Sequence, residues 1–278
     1  MPLDRHQLAA LLVARLHRDR AALTSGFRGS APVRHFVLDG VLPERWLREL
    51  AARFPAPGEL RLLDTLRERK RIGVDVERYH PEIGALLYAF QDREVVAAVE
   101  SITGLRGLEP DPTLYASGIS VMGEGDFLNP HLDNSHDGDQ RLYRVLNLLF
   151  YVGPDYDPAQ GGNLELWAAD RRQPYTVPSL FNRLVVMETG PRSWHSVSPL
   201  RGLRPRLCVS NYYFAAASVG GAAYRHVTTY AGRPEEPVKK VLLGADAVLR
   251  NALGRAFPGL LRRTRHRRAA PPREQGAP

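Results

Sequence analysis

Two different spacings of hydrophobic residues divide this chain near residue 114. Before that point apolar residues recur every three or four positions, which is the period of a helix with one buried face. After it, short runs alternate apolar and polar residues and are separated by Gly, Pro and Asp, as in strands joined by turns. The pattern predicts a helical N-terminal part over about residues 1–110 and a β-rich part over about 111–216.

In the N-terminal part, the helical spacing predicts three helices, over residues 4–24, 43–53 and 81–102. Residues 35–42 between the first two are predicted to form a short strand. Pro43 stands just inside the start of the second helix, where proline is tolerated, and Gly104 is placed to end the third. The alternating runs predict strands over residues 115–122, 145–152, 163–168, 184–188 and 206–214. Several short strands at these intervals are typical of a sandwich or a barrel.

Residues 239–278 form a basic C-terminal extension. It contains ten Lys or Arg and only two Asp or Glu, which accounts for the whole net charge of +8. Apolar residues at a helical period over 238–257 predict a helix whose apolar face docks on the preceding domain. Residues 269–278, rich in Ala and Pro, have the composition of a disordered end. We therefore predict a single domain over residues 1–238, followed by this extension.

The composition argues against several classes of protein. A hydrophobic fraction of 44% is ordinary for a globular protein, and no run approaches the ~20 apolar residues of a membrane span. No hydrophobic leader segment follows Met1, and the single cysteine, Cys208, lies in an apolar run as a small buried residue. Acidic and basic residues balance before residue 239, which argues against a nucleic-acid substrate. We expect a cytoplasmic protein.

Two histidines and a carboxylate, here called the triad, form the strongest chemical signal. His131 and Asp133 are two residues apart, so on a strand their side chains point to one face, and His195 follows 62 residues after Asp133. This ligand set is the facial triad of non-heme Fe(II) oxygenases, which leaves metal positions open for O2 and a co-substrate. Arg206, eleven residues after His195, can capture a planar carboxylate through charge-assisted hydrogen bonds. The sequence predicts a metal-dependent oxygenase that uses an organic acid.

The segments around these residues resemble one known family over about residues 35–216. Three segments, at 123–133, 161–166 (Gly-Gly-Asn-Leu-Glu-Leu) and 194–199 (Trp-His-Ser-Val-Ser-Pro), are similar in this order to motifs of the Fe(II)- and 2-oxoglutarate-dependent dioxygenases. The resemblance is to the branch that contains the prolyl hydroxylases. It implies a mainly β fold with flanking helices (α+β), in which N-terminal helices support a double-stranded β-helix, or jelly-roll, core. It also implies Fe(II), 2-oxoglutarate and O2 as cofactors.

The resemblance further implies a role for each candidate residue. The triad would hold Fe(II), and Arg206 would pair with the far carboxylate of 2-oxoglutarate. Arg204 is the alternative to Arg206, although it precedes Pro205 in a predicted turn. Ser210 is a candidate helper only if a local irregularity of the strand turns it inward.

Two further residues are candidates to line the co-substrate pocket. Many relatives place a tyrosine nine residues before the first histidine, but here that position is Met122. Tyr151 matches a tyrosine with a similar role in the hypoxia-type prolyl hydroxylases. Period-two alternation puts Asn147 on the same face as Tyr151, so both are predicted to line the pocket. Ordinary core packing is the alternative for Tyr151.

Other polar residues near the motifs are assigned ordinary roles. His136 and Asp137 are expected to be solvated turn residues that follow the triad strand. The basic run 69–71 is expected to be a solvated charged face, and contact between Lys70 and an acidic substrate is the alternative.

Hydroxylation is the default reaction, because Asp133 keeps the carboxylate that related halogenases replace. The leading hypothesis is hydroxylation of an unactivated C–H of a small molecule or biosynthetic intermediate, coupled to decarboxylation of 2-oxoglutarate to succinate and CO2. A peptidyl, prolyl-type hydroxylase is the alternative. A nucleic-acid-binding demethylase or binding protein that uses the arginine cluster at 262–268 comes third. That cluster also suits an anionic membrane surface or an acidic carrier protein.

Overall fold

The computed structural model describes residues 2–73 and 75–256. Its helices are α1 (Arg5–Arg18), α2 (Arg20–Gly29), α3 (Glu44–Ala51), α4 (Pro81–Ala89), α5 (Arg93–Thr103) and α6 (Pro237–Ala256). Its strands are β1 (His35–Asp39), β2 (Arg61–Asp64), β3 (Glu68–Gly73), β4 (Gly118–Met122), β5 (Phe127–Leu132), β6 (Tyr143–Tyr151), β7 (Leu164–Trp167), β8 (Pro174–Val177), β9 (Arg183–Glu188), β10 (His195–Val197), β11 (Arg206–Ala215) and β12 (Thr229–Tyr230). The arginine cluster and the predicted disordered end lie outside the described residues.

The N-terminal helices follow the predicted apolar spacing but are shorter than predicted. The helix expected over residues 4–24 divides at Asp19 into α1 and α2. The helix expected over residues 81–102 divides into α4 and α5, because the Asp92 side chain accepts a hydrogen bond from the Glu94 backbone N–H and begins a new helix. The apolar period continues through both breaks, so periodicity alone does not locate them.

The strands form one curled antiparallel sheet. Its main path runs β1-β9-β6-β11-β4-β3-β5-β10-β7-β8, while β12 pairs with β5 and β2 pairs with β3 beside it. Most neighbours in this path are distant in sequence, as expected for a double-stranded β-helix rather than a series of hairpins. The predicted fold class, a jelly-roll core with flanking helices, is therefore confirmed.

Alternate residues of the central strands pack into two different hydrophobic clusters. On β6, Leu148 and Phe150 belong to the cluster that contains the N-terminal helices. Leu149 and Tyr151, between and after them, belong to the cluster inside the curled sheet. Strand alternation thus separates an outer face, covered by helices, from an inner face that remains for chemistry.

The hairpin formed by β2 and β3 was not predicted. Its two strands are rich in charged residues and lack a clear hydrophobic alternation, so the segment resembles a solvated loop. Yet β3 pairs with both β4 and β5 and is therefore part of the curled sheet. Its position brings Lys70 towards the inner face.

Helix α6 contacts the domain through residues of its first half. Leu243 is buried, and Asp246 forms an ion pair with Arg67 of the β2–β3 turn. Three of the apolar residues that were expected to dock are 50–73% exposed: Val241, Leu242 and Val248. An ion pair and a leucine therefore mark the contact of this helix within the residues whose side chains are described. No helix in the described part of the chain is long and apolar enough to cross a membrane.

Candidate active site

Two neighbouring strands bring the triad together. His131 lies near the end of β5, Asp133 follows that strand directly, and His195 begins β10. The two histidines face each other across the antiparallel pair, because β5 carries an extra residue between His131 and Leu128 relative to its partner. Bulges of this kind re-aim side chains beside functional sites. One potential ligand atom from each member of the triad lies within 4.8 Å of the others.

Backbone carbonyls set the orientation of both imidazoles. The Nδ1 atom of His131 is 3.0 Å from the Asn129 carbonyl oxygen, and Nδ1 of His195 is 2.9 Å from the Ser193 carbonyl oxygen. Because a carbonyl oxygen only accepts, each Nδ1 carries the proton in the neutral ring, which leaves an Nε2 lone pair free. The two Nε2 atoms lie 3.8 Å (His131) and 3.7 Å (His195) from the oxygens of Asp133.

The protonation states of His131 and Asp133 at neutral pH suit metal binding. Burial and the nearby His195 lower the pKa of His131 to about 3. Burial alone would raise the pKa of Asp133, but the Arg144 guanidinium and the two imidazoles outweigh it and lower that pKa to about 2. A neutral imidazole and an ionised carboxylate are the forms that ligate a metal.

One oxygen of the triad lacks a hydrogen-bond partner. Oδ2 of Asp133 is buried and accepts no hydrogen bond from the described residues. A buried carboxylate oxygen without a donor is costly, and a cation between it and the two Nε2 atoms would satisfy it. The donor set of two nitrogens and one oxygen, without a thiolate, is the type used by non-heme Fe(II). The triad therefore fits the metal that the resemblance implies.

Arg206 is buried on the inner face and Arg204 is exposed, so the structure separates the two candidates. Nε of Arg206 donates to Ser179 Oγ at 3.2 Å, and Nη1 lies 3.7 Å from the Met122 sulfur. The guanidinium also stacks over the Tyr151 ring, 4.8 Å from its centroid. No carboxylate within the described ranges forms an ion pair with Arg206, so this buried charge is available to an anionic ligand.

Tyr151 and Asn147 lie on the inner face of β6 as predicted. The Tyr151 hydroxyl and Asn147 Oδ1 are both buried and have no hydrogen-bond partner within residues 2–73 and 75–256. Burial raises the pKa of Tyr151, and the neighbouring Arg206 opposes the increase. A buried acceptor without a donor is costly, so Asn147 Oδ1 is open to a polar ligand, while the Tyr151 ring packs beside the Arg206 guanidinium.

Ser210 reaches the inner face without the irregularity that was expected to be necessary. The ladder between β11 and β6 is regular from Cys208 to Tyr213. Residues 206, 208 and 210 therefore share one face by simple alternation. The Ser210 hydroxyl lies 3.9 Å from the Cys208 sulfur, on the same wall as Arg206. The expected need for an irregularity was wrong, because residues four apart on a regular strand already point to the same side.

Sequence reasoning missed Arg144, which is 5% exposed. Its Nη1 lies 3.3 Å from Asp133 Oδ1, and its guanidinium stacks over Tyr212 at 4.3 Å from the ring centroid. The contact holds Oδ1 of the carboxylate, while the unpartnered Oδ2 faces the imidazole of His195. Arg144 therefore orients a member of the triad in the way that outer contacts orient metal ligands.

A second bulge explains why Arg144 was missed. Strict alternation from Asn147 would put Arg144 on the outer face of β6. The ladder with β11 shifts between Tyr213 and Phe214, however, so Arg144 pairs with Phe214 and Val145 is the extra residue. The signal that could have found Arg144 is an arginine inside an apolar strand run, since arginine is seldom fully buried without a partner.

Two expectations about ordinary polar residues were wrong. His136 is 8% exposed rather than solvated: its Nδ1 is 2.7 Å from the Ser135 hydroxyl, and its ring packs on Tyr143. The Lys70 side chain is only 21% exposed and points inward. Asp137 is a turn residue as expected, and its carboxylate accepts two backbone N–H groups. The strand register and the residues packed over these side chains decide how exposed they are, and the local sequence shows neither.

Comparisons with known proteins match the segment of the chain that contains this candidate site. Residues 117–214, about a third of the chain, match the model of the 2OG-Fe(II) oxygenase superfamily. That segment contains His131, Asp133, His195 and Arg206, so the part of the chain that carries the candidate site is similar to this superfamily. The resemblance is confirmed, and with it the prediction of a 2-oxoglutarate-dependent dioxygenase with Fe(II), 2-oxoglutarate and O2 as cofactors. No curated protein matches the chain.

Several solved structures share the fold. A prolyl-4-hydroxylase from Pseudomonas putida aligns with TM-score 0.52 and 24% identity, over 70% of this chain and 98% of that one. An oxidoreductase of the 2OG-Fe(II) oxygenase family from Burkholderia pseudomallei aligns with TM-score 0.51 and 15% identity, over 75% and 94%. The non-heme α-ketoglutarate-dependent epimerase SnoN from nogalamycin biosynthesis aligns with TM-score 0.53 and 15% identity, over 78% and 87%. These similarities establish a common fold.

Proposed function

We propose that this protein hydroxylates an unactivated C–H of a small molecule or biosynthetic intermediate, with the triad as Fe(II) ligands and Arg206 as the anchor of 2-oxoglutarate. The observation that carries the proposal concerns Oδ2 of Asp133, which is buried, has no hydrogen-bond partner among the described residues and faces Nε2 of His195. The guanidinium of Arg206, also on the inner face of the sheet, has no acidic partner among the described residues. A metal and a dianionic co-substrate would satisfy both.

Each part of the site has a separate task. When bound, Fe(II) and 2-oxoglutarate supply O2 activation, coupled to decarboxylation of the oxo acid to succinate and CO2. Arg206 binds and orients the far carboxylate, and Tyr151, Asn147 and Ser210 line its pocket. Arg144 holds the Asp133 carboxylate in the rotation that leaves Oδ2 free. The protein supplies position and exclusion of water, and the cofactors supply the oxidation.

The cover over the triad favours a small substrate over a long peptide. Strand β12 pairs with β5, and the Tyr230 ring stacks on the His131 ring at a centroid distance of 5.3 Å. The His226 carbonyl accepts a hydrogen bond from the Ser135 backbone N–H, so residues 226–230 close one side of the site. The peptidyl hydroxylase is the second candidate function, because the fold is shared with a prolyl-4-hydroxylase.

The remaining proposals concern the domain boundary, the location of the protein and the partners of the chain. We retain the single domain over residues 1–238, the cytoplasmic location and an anionic partner, either a carrier protein or a membrane surface, for the arginine cluster. The balance of acidic and basic residues before 239 supports a substrate other than nucleic acid.

Anaerobic titration of the protein with Fe(II) and 2-oxoglutarate tests the proposed cofactor site. We expect the weak visible charge-transfer band of the chelate, and then succinate once O2 is admitted. The matched comparison is His131→Ala against His136→Ala, since both rings are buried but only the first belongs to the triad. Loss of the band in both variants, or in neither, contradicts the assignment.

A further inference from the structure

The unpredicted β2–β3 hairpin places Lys70 on the inner face of the sheet, level with Arg206. Arg71 pairs with Val121 on β4, so Lys70 lies beside Met122, and Met122 pairs with Arg206 on β11. Paired residues of neighbouring strands share a face, and the contact between Arg206 and the Met122 sulfur shows that this face is the interior. Lys70, Met122 and Arg206 therefore form one row across three strands of the inner wall.

The arginines on either side of Lys70 point to the opposite face. Nε of Arg69 lies 3.5 Å and Nη1 of Arg71 lies 3.3 Å from the carboxylate oxygens of Asp126. Successive residues of a strand point to opposite faces, so the lysine between these two arginines points to the interior. The side chain of Lys70 is accordingly only 21% exposed.

The charge of Lys70 reaches the space between Arg206 and the triad. Burial raises the pKa of Cys208, and the charges of Arg206 and Lys70 oppose that increase. Burial and the nearby His195 lower the pKa of His131, and Lys70 contributes to that decrease. A molecule that extends from the triad to Arg206 would therefore lie within reach of the Lys70 ammonium group.

Lys70 keeps hydrogen-bond donors for a second anion. Its ammonium group lies 3.1 Å from a carboxylate oxygen of Glu68, which is two residues away on the same strand and 9% exposed. An ammonium group has three N–H donors, so one contact with Glu68 does not exhaust them. The Met122 thioether, between the two cations, donates nothing. A carboxylate in front of Met122 would thus meet donors from Lys70 on one side and from Arg206 on the other.

We propose that Lys70 is a second binding residue for 2-oxoglutarate and holds its far carboxylate together with Arg206. This inference rests on the proposed function, because it adds a residue to the same co-substrate site. The ammonium group bridges Glu68 and the co-substrate, while the guanidinium, stacked on Tyr151, approaches the carboxylate from the opposite side. Two cations on one carboxylate make the pocket selective for a 2-oxo acid with a second carboxylate over one with an apolar end.

The test uses the full chain, loaded anaerobically with Fe(II), and two probes. The first is 2-oxoglutarate, and the second is 2-oxopentanoate, which keeps the chelating end but has a methyl group where the far carboxylate would be. Binding of each is read from the visible band of the chelate. The unaltered protein should bind 2-oxoglutarate at least about a hundredfold more tightly, the effect of contacts with two cations.

Lys70→Gln should weaken the binding of 2-oxoglutarate roughly tenfold, the effect of one charge-assisted contact, and leave that of 2-oxopentanoate unchanged. Unchanged binding of the second probe also shows that the variant is folded and that its triad is intact. The matched control is Arg69→Gln, which removes a charge from the adjacent position of β3 but from the opposite face, where Arg71 still pairs with Asp126. It should leave both affinities unchanged.

The Glu68→Gln background separates binding from neutralisation of a buried carboxylate, which is the alternative role of Lys70. If the ammonium group contacts the co-substrate, Lys70→Gln should weaken 2-oxoglutarate binding by the same factor with Glu68 or with glutamine at position 68. If Lys70 only neutralises Glu68, its substitution should have no effect once position 68 is uncharged.

Four results overturn the proposal. They are unchanged 2-oxoglutarate binding in Lys70→Gln, an equal loss for 2-oxopentanoate, disappearance of the loss in the Glu68→Gln background, and the same loss in Arg69→Gln. The second of these assigns Lys70 to the metal end of the chelate, and the fourth reduces its effect to general charge. Absence of the chelate band with both probes in the unaltered protein is a different result, because it contradicts the proposed function and removes this proposal with it.

Discussion

Two buried arginines on neighbouring strands of the inner face differ in what they contact. Arg206 on β11 lies beside Ser179, Met122 and Tyr151 and has no acidic partner in the described structure. Arg144 on β6 is equally buried but pairs with Asp133. The Arg206 guanidinium thus has no charge partner unless an external anion binds, whereas the Arg144 guanidinium already holds the Asp133 carboxylate.

The difference shows how the same side chain serves binding in one place and positioning in another. Removing Arg206 takes away a charge that no internal group needs, so the fold should tolerate its loss. Removing Arg144 releases the Asp133 carboxylate, whose ionised form it stabilises, and a buried ion left without its partner is destabilising. The two sites should therefore respond differently to matched substitutions, and the following experiments compare them.

The largest effect is expected when a member of the triad is removed. His131→Ala and Asp133→Ala should each abolish the chelate band and lower succinate formation by at least about a thousandfold, because each removes one of the three proposed ligands. Circular dichroism should show that both variants still fold. Retained turnover in either variant would contradict the triad.

Arg206→Ala should raise the 2-oxoglutarate concentration that gives half-maximal rate by roughly a hundredfold, the loss of two charge-assisted hydrogen bonds. Fe(II) binding and the midpoint of thermal unfolding should change little. Arg204→Ala is the control, since its side chain is exposed. A larger effect of Arg204→Ala would show that the anchor is the other arginine.

Arg144→Gln should lower Fe(II) affinity by roughly ten- to hundredfold, the usual cost of losing a group that orients a metal ligand. The cause is a less well-fixed Asp133 carboxylate, so the half-saturating 2-oxoglutarate concentration should change less than the metal affinity. Titration of each variant with Fe(II) in the presence of excess 2-oxoglutarate separates the two constants. The opposite order would assign the two arginines the reverse roles.

Acid should destabilise the metal-free protein through His131. Its pKa is about 3 when folded, against 6.5 in the unfolded chain, so the unfolded state binds more protons below pH 6.5 and the free energy of unfolding falls as the pH drops from 6.5 towards 3. His131→Asn should flatten this dependence. Denaturant unfolding at pH 7 and pH 5 measures it, and parallel losses in both proteins would assign the effect to other groups.

The smallest effect is expected at Ser210, which is half-buried on the same wall as Arg206. Ser210→Ala should raise the half-saturating 2-oxoglutarate concentration by less than about tenfold, since one neutral hydrogen bond contributes about 1 kcal/mol. Steady-state succinate assays measure the change. No change at all would remove Ser210 from the pocket and leave the anchor to Arg206.

The residues that meet at the candidate site were largely predictable from the sequence, and their surroundings were not. The spacing of His131 and Asp133 and the match of the segment around His195 predicted the triad, and an arginine opening an apolar strand predicted Arg206. Lys70 and Arg144 were not recognised as inward-facing, because the strand of the first lacks hydrophobic alternation and that of the second contains a bulge. Both depend on partners more than 40 residues away in the chain.

Local sequence by itself determined the types of ligand, the alternation that puts residues 206, 208 and 210 on one face, and the separation of a neutral domain from a basic extension. These properties depend on nearest neighbours along the chain and on charge, which need no knowledge of the fold. The tertiary structure decided which strands pair, where a ladder gains an extra residue and which face of α6 docks. A single extra residue reverses the face of every side chain beyond it, and the partner strand that imposes it is distant in sequence.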